Sequence, residues 1–207
     1  MIYVKKIILF MVSALMVFCV ACGQEPEGTT ENLIENDVKT SEEDTTEYVI
    51  PESYLAQGFD PQEIADACME NGPDYCTNAR VEGNTVILEL TDTQRLNFIE
   101  KNNEEAKVWA ESYLQADENY RIEGSDDYKE ITFYCDEKVP LMALSQASGA
   151  TIQSYGLNQI LEENSGQWSV HVSIVNCHTG KIVVEGDLPQ EELIFTPNDW
   201  TESYTEE

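Results

Sequence analysis

Trp168-Ser169-Val170-His171-Val172-Ser173-Ile174 alternates apolar and polar residues without a break. A period of two belongs to a β-strand, so this segment has one buried face and one polar face. His178-Thr179-Gly180-Lys181 then turns the chain into Ile182-Val183-Val184, which predicts a terminal hairpin. Upstream, Tyr120–Glu123 and Tyr128–Cys135 read as a second strand pair around the turn residues Gly124-Ser125-Asp126-Asp127. In the longer of the two, Ile131, Phe133 and Cys135 alternate with Thr132 and Tyr134. Between the two pairs a helical stretch starts near Pro140 and carries Leu141, Leu144, Ala147 and Ile152. Gly149 and Gly156 are expected to weaken or break it before Leu157–Leu161.

Further upstream, Thr85-Val86-Ile87-Leu88-Glu89-Leu90 reads as a mostly buried strand. Thr91 and Gln94 then form the Thr-x-x-Gln signature that opens a long helix to about Asp117. Leu96, Ile99, Asn103, Ala106, Ala110 and Tyr113 trace its inner face, with Trp109 and Leu114 beside it. An earlier helix is capped by Asp60, has Pro61 in its first turn and Phe59 and Ile64 as a hydrophobic staple, and stops at Asn71-Gly72-Pro73. The order of elements predicts an α+β fold, with helices packed on one face of a small mixed or antiparallel sheet that ends in a C-terminal β-hairpin. One domain over residues 51–200 is expected, followed by an acidic tail at 201–207.

The 207 residues include 40 Asp and Glu against 11 Lys and Arg, a formal charge of −29. Such a chain is repelled by nucleic acid and by anionic lipid headgroups, so neither is an expected partner. With 42% hydrophobic residues it has enough apolar side chains for a core. Residues 23–49 are different. They carry nine Asp or Glu against Lys39 alone, with no aromatic before Tyr48. Such a stretch buries too little to offset its ordering entropy, and its charges extend it. Residues 22–50 therefore read as an acidic, Thr-rich tether, and Glu42-Glu43-Asp44 as a solvated charge run.

The first residues combine Lys5-Lys6, an apolar run from Ile7 to Ala21 broken only by Ser13, and a small residue at its end. This is the pattern of a secretory signal peptide, at 1–21, and the run is shorter than the roughly 20 residues that span a bilayer. Cys19-Val20-Ala21-Cys22-Gly23 resembles the lipobox of bacterial lipoproteins. Val20, Ala21, Cys22 and Gly23 fit that pattern, while Cys19 stands where Leu is usual. The resemblance implies cleavage by signal peptidase II between Ala21 and Cys22, a diacylglyceryl group on the Cys22 thiol, and a protein held on the extracytoplasmic face of the cell membrane. Two acyl chains give a durable anchor where one binds only marginally. Ser125-Asp126-Asp127-Tyr128-Lys129-Glu130-Ile131-Thr132 and the Thr179-Gly180-Lys181 turn also resemble small ectodomains of uncharacterised lipoproteins of Gram-positive bacteria, a likeness that implies no activity.

Catalytic signatures are missing from the sequence. With Cys19 removed and Cys22 lipidated, Cys68, Cys76, Cys135 and Cys177 remain, an even number suited to disulfides outside the cytoplasm. Cys68 and Cys76 flank a Gly-Pro turn and are the candidate bridge. Cys135 and Cys177 each end a strand, but parity puts them on opposite faces unless Asn176 bulges. His171 lies roughly 20 Å along the strand from Cys177, and His178 next to Cys177 points to the opposite face, so neither makes a local Cys–His dyad. The four remaining cysteines form no Cys-x-x-Cys, no His pair at metal spacing, calcium loop or phosphate-binding loop occurs, and Asp117-Glu118, Glu123 and Asp126-Asp127 read as solvated turn acids. No cofactor, metal or catalytic residue is implied. The sequence favours a non-enzymatic binding or envelope-accessory domain for an unknown envelope protein or ligand. A cell-envelope hydrolase with carboxylates or a Cys assembled by the fold is the alternative.

Overall fold

The computed structural model describes residues 44–205, apart from 57 and 116. The signal sequence, Cys22 and the tether up to residue 43 lie outside the described residues. No helix among those described is long and apolar enough to cross a membrane.

The fold is α+β and contains two sheets. In the first, β3 (Thr85–Leu90), with the bounds expected from the sequence, lies between β1 (Thr46–Ile50) and β2 (Asn78–Glu82), and both pairings are antiparallel. β1 moves the start of the folded region ahead of the expected boundary at 51. The reason is local: Tyr48 and Ile50 are buried while Glu47 and Val49 face out, a strand alternation that gives this end of the acidic segment an apolar face.

A one-turn helix α1 (Glu52–Leu55) leads to α2 (Pro61–Glu70), where Asp60 Oδ1 accepts from the backbone N–H groups of Gln62 and Glu63. After β3 comes α3 (Asp92–Leu114), opened by the Thr91–Gln94 capping box. Ile99, Ala110 and Leu114 are buried in it as expected. Leu96 and Trp109 are not: they are 54% and 39% exposed, because α3 rests on another helix rather than on a sheet, and a helix gives a narrower seam than a sheet does.

The second sheet has the order β4 (Arg121–Gly124), β5 (Glu130–Cys135), β6 (Val170–Asn176), β7 (Ile182–Leu188). The β4–β5 and β6–β7 hairpins are antiparallel, while β5 and β6 are parallel. A parallel pair needs a crossover, and α4 (Leu141–Glu163) supplies it. α4 runs without interruption, contrary to the break expected at Gly149 and Gly156. Gly156 is where the Trp168 ring lies against the helix: a Cβ there would sit 2.6 Å from Trp168 Cε3. The glycine serves close packing rather than helix termination.

α4 touches both sheets and α3. Ile50, Leu88 and Leu90 of the first sheet share one core with Ile131, Phe133, Val170 and Val172 of the second, and with Ile160 and Leu161 of α4. Tyr54 of α1 meets Trp168 edge-on at 5.8 Å, and its hydroxyl donates to the Gln153 carbonyl of α4 at 3.2 Å. A final helix, α5 (Pro197–Ser203), buries Trp200 and Ser203, so the folded region extends into the expected acidic tail. Asn176 Nδ2 ties it down by donating to Ser203 Oγ at 2.8 Å.

Candidate functional site

α3 packs along α4 through a mostly polar seam. Asn158 Nδ2 donates to Asn103 Oδ1 at 2.6 Å, Asn102 Nδ2 donates to Asn158 Oδ1 at 3.0 Å, and Ser154 Oγ lies 3.3 Å from Asn103 Oδ1. Asn158 and Ser154 are buried, so this network fixes the helix pair in one register, since any shift would strand a desolvated amide.

Because α3 follows α4 and not the sheet, it leaves a cleft of about 1110 Å³ between itself and β4. Asn103, Ala106, Lys107 and Ala110 of α3 line it. So do Tyr120, Ile122 and Gly124 on the β4 side and Thr151, Ser154 and Tyr155 of α4. Small side chains on the helices make the room. Tyr128 meets Tyr155 edge-on at 5.3 Å, and Tyr155 covers Gly124 so closely that any Cβ there would collide with its hydroxyl. The size and mixed polar and apolar lining are those of a ligand cleft.

A second cluster forms at the ends of β5 and β6. The Asp136 side chain is 1% exposed and is saturated with donors. Oδ1 accepts from the Tyr120 hydroxyl and from the Lys138 backbone N–H (2.9 Å). Oδ2 lies 3.1 Å from His178 Nε2 and 3.5 Å from Lys138 Nζ. Burial pushes this carboxyl up, but the hydrogen bonds from Tyr120, His178 and Lys138 outweigh it and hold Asp136 at about 2. Burial, followed by the Asp136 bond, raises the Tyr120 phenol. The His178 ring stacks on Tyr204 at 6.4 Å, and the Tyr204 hydroxyl donates to Glu137. Asp136 thus ties β4, the end of β5, the β6–β7 turn and, through His178, the α5 end together.

The four described cysteines are free thiols. The candidate Cys68–Cys76 bridge is not formed: Cys76 Sγ donates to the Asn78 carbonyl at 3.1 Å, and both side chains sit in the core. Burial, with a smaller effect from Cys76, pushes Cys68 up to about 12. Cys135 also stands at about 12, through burial and then its neighbours Cys177 and Asp136. Burial and the charges of Asp136 and Asp117 raise Cys177 as well. The Cys177 N–H donates to the Cys135 carbonyl at 2.9 Å, so the ends of β5 and β6 lie side by side.

His171 lies on the polar face, as expected, with Nδ1 2.8 Å from Asp187 and Nε2 3.6 Å from Glu185. Its pKa is raised by the Asp187 hydrogen bond, with burial opposing. Among the turn acids, Asp127 accepts from the Lys129 N–H at 3.3 Å, while Asp126, Asp117 and Glu118 line the cleft. No group of three His, Cys, Asp or Glu that could hold a metal occurs among the described residues. Cys22 and Ala21 lie outside them.

No family model, curated protein or solved structure matches this chain. The reading of its site therefore rests on its own residues. Sequence reasoning did not find Asp136 as a hub or the cleft itself. Asp136 and His178 are 42 positions apart, and no local spacing links them.

Proposed function

We propose that the protein is a lipid-anchored extracytoplasmic binding domain, fixed at the cell membrane through Cys22, with a ligand held in the cleft between α3 and β4. The observation that carries the binding part is the cleft: about 1110 Å³, walled by two helices and a strand, with small residues, tyrosines and amides on its surface. The anchor part draws on Cys19-Val20-Ala21-Cys22-Gly23 at the end of the apolar run.

The hydrolase reading has one observation in its favour, the Asp136–His178 contact, which has the form of an acid orienting an imidazole. The chemistry around it weighs against that reading. The adjacent thiols of Cys135 and Cys177 are pushed towards the protonated, weakly nucleophilic form. The cluster acts as a structural tie.

The anchor is tested with Cys22→Ala in cells fed a clickable fatty acid. The wild type is expected in the membrane fraction, labelled. The variant is expected as a larger, unlabelled precursor. Equal labelling of the variant would refute the anchor.

A further inference from the structure

β4 is an edge strand, hydrogen-bonded to β5 alone, and its Arg121, Ile122 and Gly124 line the cleft. The phase of the ladder determines which groups face the strand's free edge. The Ser125 N–H donates to the Glu130 carbonyl at 2.9 Å, and hydrogen-bonded pairs recur every second residue in an antiparallel ladder. The bonded pairs within the strand are therefore Glu123–Thr132 and Arg121–Tyr134. This leaves the N–H and C=O of Ile122 and Gly124 pointing away from β5. Both residues line the cleft, and among the described residues no hydrogen bond reaches their outward groups. A strand edge with open backbone groups, set in a groove walled by a helix, is the geometry that accepts an extended peptide as an added strand.

Charge selects the peptide. Arg121 is taken by Glu123 at 2.7 Å and lies 3.4 Å over the Tyr134 ring, and Lys107 is paired with Glu111 at 3.8 Å. Asp117, Glu118 and Asp126 also line the cleft, and no Lys or Arg pairs with them among the described residues. The rim is left net negative, which repels acidic segments, the chain's own 23–43 included, and attracts cationic ones. Ala106, Ala110 and Ile122 offer apolar contact for every second side chain of an added strand.

Resting on the reading of the cleft as a binding site, we propose that its ligand is an extended segment of a partner protein in which Lys or Arg alternates with apolar residues, and that this segment pairs with β4 as a fifth strand of the sheet.

Full-length protein in detergent is titrated with a fluorescent Lys-Val-Lys-Val-Lys-Val-Lys peptide, with its Glu-for-Lys counterpart, and with a backbone N-methylated copy that cannot pair. The basic peptide is expected to bind, the acidic one not to bind, and the methylated one to bind at least about tenfold more weakly. Bound peptide is expected to slow hydrogen exchange at the amides of Ile122 and Gly124. Ile122→Pro removes an outward N–H without touching the β5 ladder and is expected to weaken binding at least about tenfold. If that variant fails to fold, Ala106→Trp fills the cleft from α3 with β4 intact, and the same loss is expected. Absence of binding by the basic peptide, or equal binding of the acidic one, overturns the proposal. Binding that Ala106→Trp abolishes but that leaves the Ile122 and Gly124 amides exchanging as before overturns strand addition alone and leaves the cleft as the site. Binding that Ala106→Trp does not change removes the cleft reading as well. Cross-linking of residues 23–43 into the cleft would overturn the choice of a partner protein.

Discussion

Asp136→Ala is expected to lower stability by about 3–5 kcal/mol, the loss seen when one member of a buried, hydrogen-bonded charge cluster is removed. The Tyr120 hydroxyl and the Lys138 N–H lose their acceptor on Oδ1, and His178 loses its partner on Oδ2. Three elements and the β6–β7 turn meet at this one carboxylate, so the loss is felt across the second sheet. Asp136→Asn keeps the shape but turns an NH₂ towards at least one donor, and an intermediate loss is expected. Urea unfolding measures both, and a change below about 1 kcal/mol for the alanine variant would refute the role of tie, being no more than an exposed pair is worth. The pH dependence follows the same group. Its folded pKa is depressed from 3.8 to about 2, so its stabilisation is complete above 3.8 and is lost as pH falls towards 2. Acid unfolding of the wild type should steepen in that window, and Asp136→Asn should flatten it.

The second large effect is Phe133→Ala, expected to cost about 3–5 kcal/mol. Phe133 is fully buried on β5, opposite Ile122 of β4 and Ile174 of β6. At about 2–4 °C per kcal/mol for a chain of this size, the melting temperature should fall by about 6–20 °C. The form of the transition matters as much as its midpoint. Leu88 and Ile50 share the core with Phe133, so helix content and tryptophan fluorescence should fall together in a single step. Two separated steps, with the first sheet surviving, would contradict a single core.

What the sequence made legible was local. The Thr91–Gln94 box set the start of α3, Asp60 that of α2, and the alternation in β5 and β6 named Phe133, Val170, Val172 and Ile174 as core. β2 was missed because Asn78–Glu82 is intermediate in burial along most of its length and shows no alternation to read. α4 was expected to break because glycine propensity was visible and the Trp168 ring packed on Gly156 was not. His178 lies in the turn the sequence placed it in, but its contact with Asp136 left no sequence signal, because a turn side chain's reach across the fold is set by tertiary packing and not by local alternation. The cleft had no sequence signal at all. It exists because the buried amide of Asn158, bonded to Asn103, commits α3 to α4, which leaves β4 uncovered.

The proposed anchor at Cys22 and the extracytoplasmic location stand or fall together. Mass spectrometry of the N-terminal peptide, on protein recovered separately from the membrane and soluble fractions of the producing cell, tests both directly. A lipid-anchored protein yields a peptide that begins at Cys22 and carries two esterified acyl chains on a thioether-linked glycerol. A peptide that begins at Met1, with Cys22 unmodified and the protein in the cytosol, would contradict both.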